Sequence, residues 1–326
     1  MKGHRQLILL AVALAALAGA SVAKADDAVT LRLNWLIYGF HSPFYLGLER
    51  GYYKEEGIDL TINEGQGSGK AVQIVAAGAD TFGVSDSGSV IAGVSKGAPI
   101  KSVFAMSNAS PYAVGFRADL GITSAKDMEG KTIAATAGEA GIQLFPAIIA
   151  ANKLDKDKVK FLMVDGPGKM VSVLEKRTEG LLAGLDNQCL ILPARGADVT
   201  CLSYASLGVN TVGLTVHTRT ELLEDNPDLV RRFVKATVRA FEAAVADPVA
   251  SVEAGMKHKA GVDKELWLEQ IKVGFSLLKT PNTEKLPLGH FSEADWADTL
   301  RLMKEYRGLK SDKPVTAFFT NEYLPN

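Results

Sequence analysis

The chain has 326 residues, 36 basic and 37 acidic side chains, five histidines, two cysteines and a formal net charge of −1. That balance offers no basic stripe for nucleic acid, and the length suffices for two lobes with separate cores. With no His near either cysteine and no second Cys pair, zinc has no site and no metal is expected.

The first segment reads as an export leader. Lys2, His4 and Arg5 form a short basic region, residues 7–20 are an unbroken apolar run, and Ala23-Lys24-Ala25 fits a small-x-small cleavage pattern. The run is short of the ~20 residues of a spanning helix, so a cut after Ala25 is expected rather than an anchor. Taking 25 residues from 326 leaves 301, with 33 basic against 37 acidic side chains and a net charge of −4. No cysteine precedes residue 189, so no lipoprotein-type cysteine follows the leader. A freely soluble periplasmic protein of a Gram-negative bacterium is expected.

Residues 29–35 alternate as a strand, with Val29, Leu31, Leu33 and Trp35 on one face. Pro43 suits a first helical turn, and Phe44, Leu46, Leu48 and Tyr52 follow at helical spacing up to the Gly51 and Gly57 turns. A strand at 58–62, a helix at 70–77, a strand at 81–85, a helix at 87–96 and a strand at 100–106 come next. Strands and helices alternating at this pace form a parallel α/β sheet. Residues 112–117 read as a strand leaving that sheet. A second unit then begins with Ser124 and Asp127 as a helix start and continues with strands at 131–135 and 159–164 and helices at 141–152 and 168–177. Residues 210–217 read as a returning strand. From Arg219 the texture is helical, with helices at 229–246, 263–278 and 292–306.

The predicted fold is α/β with two lobes joined by two crossing strands. Lobe 1 is expected at 26–111 and 218–326, and lobe 2 at 112–217, including both crossing strands. Ligands of such open sheets bind beyond the carboxyl ends of the strands, which here means the cleft between the lobes. Cys189 and Cys201 form either a disulfide, as an even count in an oxidising compartment favours, or two separate thiols.

Several motifs carry a resemblance. They are Asn34-Trp35 with His41 and Phe44-Tyr45, the run from Gly51 through Tyr52-Tyr53-Lys54-Glu55-Glu56 to Gly57-Ile58, Asp127-Met128-Glu129-Gly130-Lys131, and the ending Phe319-Thr320-Asn321-Glu322-Tyr323-Leu324-Pro325. From about residue 29 to the end the chain resembles the periplasmic solute-binding proteins of ABC importers. More narrowly it is similar to the NMT1/THI5-like (SsuA/THI5-like) group, relatives of binding proteins for thiamine-precursor pyrimidines, sulfonates, taurine and nitrate. The resemblance implies a type II periplasmic-binding-protein fold with no cofactor, a small-molecule ligand, and an ABC permease with its ATPase as partners. A monomer is expected. The yeast-type pyrimidine synthases of the family carry a cysteine-rich iron-binding run. This chain has only Cys189 and Cys201, which speaks against that activity.

The candidate ligand residues sit at strand ends. Trp35, Tyr38 and His41 follow the first strand, where aromatic faces can stack on a planar ring and Asn34 and His41 offer directional hydrogen bonds. Phe40 and Phe44 fit the core better. The stretch from Gly65 to Lys70 is neither a phosphate loop nor a dinucleotide fingerprint, because its spacing fits neither. It reads as a tight turn onto a helix, with backbone N–H groups around Gly67 and the Ser68 hydroxyl available to a polar ligand. Ser85 and Asp86 repeat that geometry, with helix capping as the alternative. Gly138 and Glu139 do so in the second lobe, and Asp186 falls where that lobe should present its cleft edge. Tyr112 is the candidate on the crossing strand. No metal spacing among the histidines and no nucleophile elbow supports catalysis, so no catalytic residue is expected. The favoured ligand is a small planar heteroaromatic facing the acids Glu139 and Asp186. A sulfonate, taurine, nitrate or aromatic carboxylate ranks behind it, because the only basic residue in these loops is Lys70. A pyrimidine synthase or a sensor-linked hydrolase of the same fold is the competing class.

Overall fold

A computed structural model describes residues 25–325. The expected leader lies, but for Ala25, outside the described residues. Among those described, no helix is long and apolar enough to cross a membrane.

Two five-stranded sheets organise the chain. The first has the order β2-β1-β3-β10-β4, built from β1 (Asp27–Arg32), β2 (Ile58–Asn63), β3 (Phe82–Asp86), β4 (Ile100–Ala105) and β10 (Leu214–Arg219). The second has the order β7-β6-β8-β5-β9, built from β5 (Tyr112–Arg117), β6 (Thr132–Ala135), β7 (Lys160–Met163), β8 (Gly180–Gly184) and β9 (Val199–Ser203). In the first sheet β1 runs parallel to β2 and β3, and β10 runs antiparallel between β3 and β4. In the second, β6 runs parallel to β7 and β8, and β5 runs antiparallel between β8 and β9. Each sheet thus takes its single antiparallel strand from a crossing segment. This is the periplasmic-binding-protein arrangement.

The helices are α1 (Ser42–Glu49), α2 (Tyr52–Glu55), α3 (Ser68–Ala76), α4 (Ser87–Ser95), α5 (Ala140–Ala151), α6 (Gly166–Leu174), α7 (Gln188–Ala194), α8 (Thr220–Asp225), α9 (Pro227–Ala246), α10 (Pro248–Met256), α11 (Lys264–Ser276) and α12 (Glu293–Arg307). Short polar side chains start them where the sequence offers them. Asp86, Asp165, Asn226, Asp247, Asp263 and Ser292 each accept from a backbone N–H of the first turn, a contact worth about 0.5–2 kcal/mol per cap. Phe44, Phe104, Phe233 and Phe241 bury the face of α9 and α1 against the first sheet. Phe40 joins them, packed edge-on against Phe241.

Two expectations about the lobes change. A boundary at residue 217 would cut β10, yet Thr218 and Arg219 continue its ladder against Phe82, Lys101 and Ile100. That strand belongs to the first sheet, and the chain crosses back before Leu214. The C-terminal segment is also not confined to one side. α12 packs on α4 and on α5, and its buried Trp296 and Met303 share a core with Leu144 and Ile148 of α5. The physical reason is that the apolar face of α12, with Trp296, Leu300, Leu302 and Met303, is buried by α4 and α5 together.

Cys189 and Cys201 are joined by a disulfide, Cα to Cα 6.3 Å, that ties α7 to β9.

Candidate functional site

β1 ends at Arg32, earlier than the alternation to Trp35 predicts. The backbone then leaves the sheet because the glycine turn holds it: Gly65 N donates to the Trp35 carbonyl and Gly67 N to that of Asn34, at 2.9 and 2.8 Å. Gly65 must be glycine here, since a Cβ would sit 1.9 Å from the Leu33 carbonyl oxygen. Gly69 N is also taken, by Gly138 O of the second sheet's layer at 3.2 Å. The turn therefore does not offer the free N–H groups expected at these glycines. It uses them to fix Asn34 and Trp35 and to meet the other lobe.

A cavity of about 60 Å³ lies where the carboxyl ends of the two sheets meet. From the first side Asn34, Trp35, Tyr38, Gly67 and Ser68 line it. From the second come Tyr112, Glu139 and Asp186. Eight of the twelve predicted ligand residues are thus brought together.

The other four stand behind the wall. His41 is fully buried and lines nothing. Its Nε2 pairs with Asn34 Oδ1 at 2.9 Å, and the Tyr38 ring packs edge-on against it at 4.4 Å. Burial lowers its pKa to about 3, so the ring is neutral, and Nε2 donates. With Oδ1 of Asn34 occupied, its amide NH₂ is the group left for a ligand. Ser85 Oγ donates to the carbonyls of Ser68 and Val84. Asp86 caps α4 through Ser89 N at 2.9 Å, and its burial raises the carboxyl's pKa. Gly138 lies outside the cavity as the acceptor of the Gly69 contact. Three residues expected to touch ligand, His41, Ser85 and Asp86, therefore position Asn34 and Ser68, which line the cavity, and Gly138 meets the glycine turn instead.

Asn187 and Gln188, in the same turn as Asp186 that the sequence placed at the cleft edge, line the cavity too, and so does Lys169, which sequence reasoning missed. Lys169 is 1% exposed although it sits on a helix. Its Nζ donates to Glu139 Oε2 and to the Leu182 carbonyl and stands 4.9 Å from the centre of the Trp35 ring. The Gly166-Pro167-Gly168 helix start after β7 repeats the strand-end pattern used elsewhere and was the available signal. Gln188 Oε1 accepts from Gly184 N, which leaves its amide nitrogen free. Glu139 Oε1 accepts from Thr136 N.

The acids face the cavity in a desolvated setting. Burial raises the Glu139 pKa while Lys169 and the Thr136 N–H pull it back. Burial pushes Asp186 up to about 6 against the hydrogen bond from Tyr38. The Tyr112 phenol is held well above its usual range by burial and by the neighbouring Asp86, Asp186 and Glu139 charges, so it is a neutral donor. The Ser68 hydroxyl accepts from Asp86 N at 3.2 Å and lies beside the Tyr112 phenol. The site thus mixes neutral donors, two acids and one aromatic face. Its single ammonium is already saturated by Glu139, Leu182 and Trp35.

Comparison with known proteins agrees with the fold. A family model described as NMT1/THI5 like matches residues 39–251. A riboflavin-binding protein, RibY, of Chloroflexus aurantiacus is 24% identical over 305 residues, covering 91% of this chain and 86% of that one. A formylaminopyrimidine-binding protein of Halalkalibacterium halodurans is 22% identical, with 95% of both chains covered. A 4-amino-5-hydroxymethyl-2-methylpyrimidine phosphate synthase of Saccharomyces cerevisiae is 23% identical, covering 91% of this chain and 88% of its own. Among solved structures, the alkanesulfonate-binding protein SsuA of Xanthomonas axonopodis superposes with a TM-score of 0.69 at 12% identity, over 91% of this chain and 99% of that one.

Proposed function

The chain belongs to the NMT1/THI5-like family, and from that premise we propose that it captures a small planar nitrogen heteroaromatic, of the thiamine-precursor pyrimidine type, for an ABC importer. It does so outside the cytoplasm and delivers the ligand to a membrane permease driven by an ATPase. The observation that carries this reading is the pairing of the Trp35 face with two buried acids, Glu139 and Asp186, around one cavity. Ring amino groups and protonated ring nitrogens donate to such acids, while Asn34 and Gln188 answer ring acceptors. An oxyanion would be favoured by an unpaired cation facing it, and the one cleft ammonium, Lys169, is held by Glu139 and the Leu182 carbonyl.

Size supports a single ring. The cavity of about 60 Å³ is far below the ~300–1,000 Å³ of drug-sized sites. A three-ring flavin enters only if the lobes part. Ligand favours the closed arrangement by the contacts it makes there and nowhere else. Moving from mostly open to mostly closed takes about 5.5 kcal/mol of differential binding, within reach of a stacked ring and several buried hydrogen bonds.

A thermal-shift panel of aminopyrimidines, riboflavin, alkanesulfonates, nitrate and aromatic acids, followed by calorimetry, tests the proposal. An aminopyrimidine should raise the melting temperature most. If only sulfonates or nitrate do so, the heteroaromatic reading fails. Turnover of a supplied candidate substrate to a pyrimidine phosphate in the presence of iron would move the protein to the synthase class.

A further inference from the structure

A second cavity, of about 850 Å³, opens beside the Gly69–Gly138 contact, walled by α3 and α4 on one side and by residues 137–143 on the other. Lys70, Lys96 and Arg307 all line it, and among the described residues no Asp or Glu does. In a protein with more acidic than basic side chains, that is a local excess of positive charge. None of the three cations is in an ion pair among the described residues. Arg307 is half-buried, and its hydrogen-bond contact there is to Met303 Sδ at 3.9 Å. Ser89, on the first turn of α4, is only 3% exposed and lines the same cavity, and the buried Asp86 carboxylate behind the wall faces both Ser89 and Arg307. A half-buried guanidinium in no direct ion pair has donors that a bound anion would satisfy. Gln73 and Gln143 add neutral donors to the wall.

We infer that this cavity binds a small polyanion carrying phosphate or carboxylate groups, one of which Arg307 holds in the recess while Lys70 and Lys96 hold the rest at the mouth. The volume is that of a small-molecule site. Because one wall comes from each sheet's layer, the occupant contacts both only in the closed arrangement. It therefore favours closure and tightens the central site without entering it. The inference does not depend on what the central cavity takes.

Calorimetric titration of the mature protein with pyrophosphate and with citrate, at fixed ionic strength and with no other ligand, tests it. Saturable one-to-one binding is expected, weakened at least tenfold by Arg307→Gln. The paired surface variant Lys70→Gln/Lys96→Gln, whose side chains are exposed, should weaken it similarly and guards against a folding defect in the first. Absence of saturable binding, or an affinity that either variant leaves unchanged, overturns the assignment.

Discussion

The Tyr38 hydroxyl donates to Asp186 Oδ2 at 2.8 Å, joining the turn after β1 to the turn after β8 across 148 residues of sequence. It latches the two sheets together at the floor of the cavity. Tyr38→Phe keeps the ring and removes the latch. A hydrogen bond to a charged group is worth about 1.5–3 kcal/mol, so ligand affinity should fall by at least tenfold. Small-angle scattering should show a larger radius of gyration for the unliganded variant. An unchanged radius and affinity would mean that the contact plays no part in closure.

Asp186 makes stability depend on pH. Its folded pKa, about 6, lies above the ~3.9 of an exposed aspartate. Between those values the native state binds more protons than the unfolded one, so stability falls as pH rises through that window. A two-unit shift corresponds to about 3 kcal/mol. Asp186→Asn should therefore be more stable than the parent at pH 7, by up to that amount, and lose the advantage below about pH 4. Urea midpoints measured from pH 4 to pH 7 check the sign. Ligand affinity should drop in the same variant.

His41 is predicted to matter for binding although it touches no cavity. His41→Ala removes the hydrogen bond that orients Asn34 and opens a void in a fully buried turn. Together these should cost about 2–4 kcal/mol in stability. Ligand affinity should also weaken, more than for Ser85→Ala, whose hydroxyl bonds only to backbone carbonyls. Equal affinities for the two variants would contradict the positioning role.

Lys169→Met should be among the most damaging single changes in the cleft. It leaves Glu139 buried without its cation, and breaking such a pair costs about 3–5 kcal/mol. Lys169→Met/Glu139→Gln removes the uncompensated charge and should recover much of the stability. Denaturant unfolding of both variants decides this. A double variant as unstable as the single would show that the pair is not what couples them.

The sheets were legible because apolar alternation and glycine turns repeat along the chain, and Val29, Leu31 and Leu33 are buried as their spacing predicts. The strand ends then pointed to the cavity, and Trp35, Tyr38, Glu139 and Asp186 were found that way. Lys169 was not legible. A lysine on an amphipathic helix ordinarily faces water, and only the approach of Glu139 and Trp35 from other elements keeps it inside. The role of His41 was misjudged for a related reason. Its position in the turn suits a ligand contact, but the hydrogen bond that Asn34 offers turns the ring inward.

By itself the sequence determined the order and kind of most elements, though not α7 and β9 beside the two cysteines, the bridged cysteines as an available pair, and the polar and aromatic groups at the strand ends. These follow from local periodicity, capping and turn chemistry, which act over a few residues. Tertiary structure alone decided which of those groups share a cavity, which helix spans both sheets, and which charges are already neutralised. Those outcomes depend on contacts such as Tyr38 with Asp186 and Lys169 with Glu139, made between segments that only the closing of two sheets brings together.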